Sequence, residues 1–385
     1  MSLLDEMTAA MDDKEYVLGV FIDLKKAFDT IDHDILCSKL KFYGIRGCAL
    51  DWIRSYLSNR FQKVKIKENV SSEKKMTCGV PQGSILGPLL FIMYINDICQ
   101  VSETMSLILF ADDTNLFMKD KCLDTLANRM TEELDKIQDW LNCNKLSLNV
   151  LKTNFMIFTT NAKNRNLNKP LNIKNTEIKQ VKSTKFLGVK IQENLKWDEH
   201  IASIKTKLSR ATGIIRKVKN DLPPKSLKQI YDVLFVPHLN YCNVIWGHSC
   251  VTHLEPLWLL QKRAIRSVTG SEYLAHTSPL FKTLKTLKLE DMTKLATLTY
   301  MYKNLNDLLP KHLTKLCETG SVIHDHDTRG KNLLRNEKTR SRASDSTPYH
   351  KGIDLWNKLD DTICKQPSLK LFRRSLKEKL VDTYE

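Results

Sequence analysis

SLILFADDTNLFM, residues 106–118, reads as strand, turn, strand: two apolar, β-rich runs flank Ala111-Asp112-Asp113. A second apolar run, YVLGVFIDL at 16–24, has the length of a buried strand and carries Asp23 near its end. If those strands adjoin, Asp23, Asp112 and Asp113 can meet at one end of a sheet.

Working outward, the stretch that follows reads as a helix that Asp32 or Asp34 could cap, with Leu36, Leu40 and Tyr43 on one side and Gly44 stopping it. A second helix follows from Ala49 to Leu57. FQKVKIK (61–67) alternates like a half-exposed strand, and TCGVPQGS (77–84) breaks regular structure before a long apolar helix, Ile85 to Ile98. From Asp124 to Leu141, Leu126, Met130, Leu134, Ile137 and Leu141 recur every three or four residues, so that helix packs one face. NFMIFTT (154–160) is a short strand, and the polar NAKNRNLNKP (161–170) is the natural loop after the first unit. Between 201 and 219, Ile201, Ile204, Leu208, Ala211, Ile215 and Val218 share a face, while Lys205, Lys207, Arg210, Arg216, Lys217 and Lys219 project elsewhere. The remainder reads as mostly helical, apart from residues 321–350, which lack an apolar period and read as a long flexible loop.

A cluster of three carboxylates repels itself, so it implies either raised pKa values or divalent cations. Hard oxygen ligands favour Mg²⁺, with Mn²⁺ the alternative. Two such ions would activate a 3′ hydroxyl and stabilise a pyrophosphate leaving group, which is polymerase chemistry. Taken alone, Asp-Asp is also an ordinary turn dipeptide.

Composition supplies context. Lys and Arg number 60 against 44 Asp and Glu, a net +16 that suits a polyanionic partner without choosing among nucleic acid, an anionic surface and mere solubility. The ten Cys are scattered, no secretory segment opens the chain, and no apolar run reaches bilayer length. Reduced thiols without disulfides, no membrane partner and an intracellular setting, nuclear or cytoplasmic, are expected. His238, Cys242, His248 and Cys250 lie close together, but their spacing fits no zinc pattern, and the intervening apolar residues read as a packed segment.

FIDLKKAFDTIDH (21–33), GVPQGSILGPLLF (79–91), FADD (110–113) and LNVLKTNFMIF (148–158), followed by KFLGV (185–189), resemble in order the palm motifs of reverse transcriptases. The wording is most similar to non-long-terminal-repeat retrotransposons, the jockey-like group of LINE elements. LNYCNVIWG (239–247), HTSPLFKTLKTLKLEDM (276–292) and GIDLWNKL (352–359) look like the region that follows the palm there, though they carry no identifiable chemistry.

The resemblance implies an α+β fold: an antiparallel palm sheet with helices on one face and a solvated nucleic-acid side, a helical thumb and a helical C-terminal extension. The expected domains are 1–160, palm with a remnant of fingers; 161–270, end of palm and thumb; and 271–385, the extension. It implies an RNA-directed DNA polymerase acting on RNA template, DNA primer and deoxynucleoside triphosphates. Asp23 and Asp112 would bridge two Mg²⁺ ions, with Asp113 completing the cluster. Phe28 would be a steric gate against a ribose 2′ hydroxyl, or simply a core aromatic. Gly79, Pro81, Gln82 and Gly83 would form the loop along the nascent base pair, or only a helix-entry turn, and Lys152 would protonate the leaving pyrophosphate, or be an ordinary solvated lysine. Lys205, Lys207, Arg210, Arg216 and Lys217 would grip duplex phosphates, although a merely solvated helix face would look the same.

The chain departs from the family's pattern at its N-terminus. Only 22 residues precede Asp23, and MSLLDEMTAAMDDK looks like the last fingers helix. An N-terminally truncated chain is therefore expected, and an inactive remnant that only binds RNA or RNA/DNA hybrid is the competing reading. A DNA-templated or primase-like two-metal polymerase is disfavoured, because Gly79 to Gly83 and FADD match reverse transcriptases together.

Overall fold

The computed structural model describes residues 2–160, 166–174, 176–315, 317, 333–336 and 338–385. They form two compact units, Lys14–Lys182 and Met1–Asp13 with Ser183–Glu385. The helix α1 (Ser2–Asp12) thus belongs to the second.

The Lys14–Lys182 unit is organised by β1 (Tyr16–Ile22), every residue of which after Tyr16 is buried. After a short 3₁₀ turn at Ala27–Asp29 come α2 (His33–Phe42) and α3 (Cys48–Leu57). Of the two candidate caps for α2, Asp32 is the one used: its carboxylate accepts from the Asp34 and Ile35 N–H groups. The FQKVKIK stretch does not form the expected half-exposed strand. It is divided between β2 (Phe61–Gln62) and β3 (Lys65–Ile66), which pair with β5 (Lys74–Lys75) and β4 (Asn69–Val70), and all four are exposed. Its apolar residues have no core face to bury against, so pairing stays local.

α4 (Leu86–Ile95) buries Leu90, Phe91, Tyr94 and Ile95, then tightens into 3₁₀ geometry at Asn96–Gln100 instead of running to Ile98 as α-helix. The hairpin β6 (Ser106–Phe110) and β7 (Asp113–Asp120) leads to α5 (Leu123–Cys143), whose buried positions include Leu126, Met130, Leu134, Ile137 and Leu141, as the periodicity requires. β8 (Asn154–Phe158), the small ribbon of β9 (Asn172–Ile173) and β10 (Thr176–Glu177), and β11 (Lys179–Gln180) complete the unit. The main sheet has the order β11-β8-β1-β7-β6, antiparallel except for the β11–β8 pair.

One face of this sheet, with Leu18, Val20, Ile22, Leu116 and Ile157, joins the core formed with α2, α4 and α5. The other face is not solvated at its centre, contrary to expectation. Phe21, Phe117, Met156 and Phe158 are buried there, Phe21 meets Phe117 edge to face at 5.8 Å, and a Cβ on Gly19 would stand 2.7 Å from the Phe117 ring.

In the second unit the hairpin β12 (Ser183–Phe186) and β13 (Val189–Gln192) precedes α6 (Asp198–Val218), which buries Ile201, Ile204, Leu208, Ala211 and Ile215. α7 (Pro224–Leu234), α8 (Val236–Asn240), α9 (Asn243–Trp246), α10 (Val251–Thr269), α11 (Ser278–Thr283) and α12 (Leu289–Leu305) follow. Tyr231, Phe235, Trp246 and Phe281 are fully buried among them. Gln261, also inaccessible, donates to Tyr231 and to the Leu287 carbonyl and accepts from Leu289 N–H, so its polar atoms are satisfied. Residues 321–332, the first part of the expected loop, lie outside the described residues. Its later part contains α13 (Arg342–Asp345) and the start of α14 (Pro348–Trp356), a helix with Pro in its first turn that buries Gly352 and Ile353. The chain ends in α15 (Asp361–Cys364) and α16 (Leu369–Asp382). The ten Cys are free thiols, and no described helix is long and apolar enough to cross a membrane.

Candidate active site

The strand register sets the carboxylates. β1 pairs with β7 down to Ile22 opposite Thr114, so Asp23 leaves β1 at the end where β7 begins with Asp113. Phe110 pairs with Asp113 across a two-residue turn, Ala111-Asp112, in which Ala111 takes a positive φ of 51°. Asp112 and Asp113 are exposed, while Thr114 and Asn115 behind them are buried.

Asp23 is held by the segment that precedes β8. Leu24 bridges Leu148, and Lys25 N–H donates to the Ser147 carbonyl. Asn149 donates its backbone N–H to the Asp23 carbonyl at 2.8 Å and its side-chain amide to Asp23 Oδ2 at 2.8 Å. The Thr153 hydroxyl receives Asp23 N–H at 3.4 Å and donates to the Asn149 carbonyl. This turn delivers Lys152, whose Nζ lies 3.9 Å from Asp23 Oδ2. Asp23 and Lys152, 129 positions apart in the chain, therefore form an ion pair.

A second group assembles beside it in sequence. Gly79 N–H donates to the Ile31 carbonyl at 2.7 Å, Val80 N–H donates to the Phe28 carbonyl at 2.9 Å, and His33 Nε2 bonds the Gly79 carbonyl at 2.8 Å. Gly79 has φ +82°, and a Cβ there would lie 2.8 Å from the Asp29 backbone, so only glycine allows this approach. Gln82 donates its amide to Asp29 Oδ1 at 2.8 Å. Ser84 then accepts from Gly87 N–H and opens α4. The Phe28 ring is half-buried against Phe91, centroids 4.6 Å apart. Phe28, Pro81, Gln82 and Gly83 are thus linked through one backbone junction.

Asn149, Thr153, Asp29 and His33 are site neighbours that motif reading passed over. Asn149 and Asp29 sit inside the quoted motifs, but nothing in their spacing says which carboxylate or amide they meet.

Among the described residues no three His, Cys, Asp or Glu side chains are gathered closely enough to hold a metal ion. The donor chemistry nevertheless suits a hard divalent cation, since Asp23, Asp112 and Asp113 offer only carboxylate oxygens from one end of the sheet. The charge beside Asp23 is supplied by Lys152.

Lys205, Lys207, Arg210, Arg216 and Lys217 are all exposed on α6, in the second unit. The His238–Cys250 segment is packed: Trp246 is fully buried, burial pushes the Cys242 thiol up, and His248 bonds the Thr297 hydroxyl at 2.8 Å.

Residues 1–191 match the family Reverse transcriptase (RNA-dependent DNA polymerase). The chain is 26% identical over 353 residues to the probable RNA-directed DNA polymerase from transposon X-element of Drosophila melanogaster, covering 88% of this chain and 35% of that protein. It is 29% identical over 339 residues to the RNA-directed DNA polymerase from mobile element jockey of the same organism, covering 85% of this chain and 36% of the relative. The chain therefore spans about a third of these relatives' length. A solved telomerase from Candida tropicalis aligns with TM-score 0.38 at 12% identity over 76% of this chain and 50% of that one, a likeness too slight to bear on the site. Residues 1–191 thus carry the sequence of the reverse transcriptase family, in a chain similar over most of its length to the RNA-directed DNA polymerases of jockey-type, non-long-terminal-repeat mobile elements.

Proposed function

We propose that this chain carries the polymerase centre of a mobile-element reverse transcriptase, joining deoxynucleotides to a DNA primer on an RNA template. The observation that carries the reading is the register that brings Asp23 to the Asp112-Asp113 turn, with Lys152 paired to Asp23. The sheet unit then acts as palm, and the helices from α6 onward as thumb and extension, along the boundaries 1–160, 161–270 and 271–385.

Asp23 and Asp112 would hold the divalent ions, Mg²⁺ or Mn²⁺, with Asp113 completing the set. Bound there, the metal supplies charge neutralisation at the primer 3′ oxygen and the triphosphate. Asn149 fixes the Asp23 carboxylate through its amide. Lys152 carries a proton that it can hand to the leaving pyrophosphate. Phe28 meets the sugar of the incoming nucleotide, and Pro81, Gln82 and Gly83 lie along the new base pair. Lys205, Lys207, Arg210, Arg216 and Lys217 contact phosphates without reading sequence, which makes duplex binding salt-dependent.

The test is primer extension on poly-rA with oligo-dT and Mg²⁺, comparing wild type with Asp112→Asn. Extension lost in the variant supports the reading. No wild-type extension, alongside retained salt-sensitive hybrid binding, would reduce the chain to a binding protein.

A further inference from the structure

α3 carries aromatic surface that the carboxylate site does not use: Trp52 is exposed, and Tyr56 beside it is half-buried, packed against the core. Trp52 and Tyr56, four residues apart and so neighbours on the helix, stack with centroids 6.1 Å apart and planes 17° apart. The Arg60 guanidinium lies 5.2 Å over the Tyr56 ring. The opposite face, Leu50, Ile53 and Leu57, is in the core, whereas Trp52 is 59% exposed. Residues 61–75, with the ribbons β2–β5 and β3–β4, are exposed throughout. Residues 52–75 hold seven Lys and Arg against two Glu. Among the described residues, Lys63, Lys65, Lys67, Lys74 and Lys75 enter no ion pair, and Arg54 is paired with Asp51.

We propose that the Trp52–Tyr56–Arg60 ladder and the adjoining basic ribbons bind single-stranded nucleic acid, with an unpaired base stacking on the exposed Trp52 ring, which Tyr56 backs, and phosphates running past the lysines. Each element of the patch has a use in this reading. A base needs a flat aromatic face that is open to solvent, and the outer ring of the stack provides one. A duplex hides its base faces, so the rings select unpaired strands. The excess of cations complements a phosphate backbone and repels a basic peptide. The site lies on elements other than those bearing Asp23, Asp112 and Asp113, so it does not depend on the polymerase reading.

The experiment is fluorescence anisotropy of labelled rU12 and dT12 with the full chain, run beside a blunt hybrid duplex. Trp52→Ala with Tyr56→Ala should weaken oligonucleotide binding by about tenfold or more without changing its salt slope. Trp52→Phe should retain most of the affinity while losing part of the tryptophan quenching on binding. Lys63→Ala with Lys65→Ala and Lys74→Ala should lower the salt slope, a readout that survives if the aromatic double variant folds poorly. RNA and DNA arms show which strand is preferred. Unchanged oligonucleotide affinity in Trp52→Ala, or an equal loss on the blunt duplex, overturns the proposal, as does a loss confined to phosphatidylserine vesicles. Wild-type primer extension and wild-type rU12 affinity are read in separate assays, so failed extension and failed strand binding remain separate results.

Discussion

Asn149 grips Asp23 twice, through its side-chain amide at 2.8 Å from Oδ2 and through its backbone N–H at 2.8 Å from the carbonyl oxygen. The backbone bond survives substitution, and the amide bond does not. Asn149→Ala should leave the fold and hybrid affinity intact while lowering the extension rate by about 10- to 100-fold, the usual cost of losing a partner that orients a ligating carboxylate. It should also raise the Mg²⁺ concentration needed for half-maximal rate. Single-turnover extension across a Mg²⁺ series checks this, and a rate and Mg²⁺ requirement both equal to wild type would remove Asn149 from the site.

Gly79 and Gly83 share a positive φ but not their surroundings. A Cβ at Gly79 would collide with the Asp29 backbone at 2.8–2.9 Å, whereas one at Gly83 would meet nothing within 4 Å. Gly83→Ala should therefore cost only the left-handed penalty, about 1–2 kcal/mol. Gly79→Ala adds a backbone clash and should cost about 3 kcal/mol or more, loosening the junction that joins Phe28 to the Gln82 loop. Denaturant melts of the two variants give the comparison, and equal losses would mean that the loop does not pack on Asp29.

The packing of Phe28 and its proposed place at the nucleotide sugar can be separated by mutation. Its ring packs 4.6 Å from Phe91, and its backbone carbonyl anchors Val80. Phe28→Val should admit ribonucleotides in extension assays and also lower stability by about 1–3 kcal/mol through lost packing. Phe28→Leu keeps more of the packing volume and should recover most of the stability. If Phe28→Val melts lower yet discriminates between sugars as wild type does, the residue serves the core alone.

Most of the main sheet was legible because its signals are local. Apolar runs gave β1 and β8, the ADD turn gave β6 and β7, and the spacing of Leu126 to Leu141 gave α5. What escaped was set by long-range pairing. FQKVKIK alternates convincingly but finds only short exposed partners, and no pattern announces that Phe21, Phe117 and Phe158 would be buried on the second face of the sheet. The candidate site divides in the same way. Asp23, Asp112, Asp113 and Lys152 stand out as motif residues, yet the Lys152–Asp23 pair and the amide of Asn149 exist only because Leu148 bridges Leu24. Asp29 was likewise invisible as a partner of Gln82 until the Gly79 turn laid one segment on the other.

The second unit should be acid-sensitive through two imidazoles. Burial, helped by Lys207 and Lys190, pushes His200 down to about 4, and burial with Lys351 does the same to His248. His200 Nδ1 accepts from Lys190 N–H at 3.3 Å, so the neutral ring carries its proton on the buried, unpartnered Nε2, and a second proton would go to Nδ1 and break that bond. Both folded-state values lie below the ordinary 6.5, which means the unfolded chain binds more protons between them. The contribution of each is complete above about pH 6.5 and falls away as pH drops toward 4. Asp32, in the Lys14–Lys182 unit, behaves differently. The Lys145 hydrogen bond, then the Ile35 N–H, hold its carboxyl below the ordinary 3.8, so its contribution persists until the pH falls below that value. Melting followed from pH 7 to pH 5 should therefore lower the transition of the Met1–Asp13 and Ser183–Glu385 unit. His200→Gln with His248→Gln should flatten that pH dependence, at some loss of stability at pH 7, whereas Asp32→Asn should leave the slope between pH 7 and 5 as it was. An unflattened slope in the double histidine variant would assign the acid sensitivity to other groups.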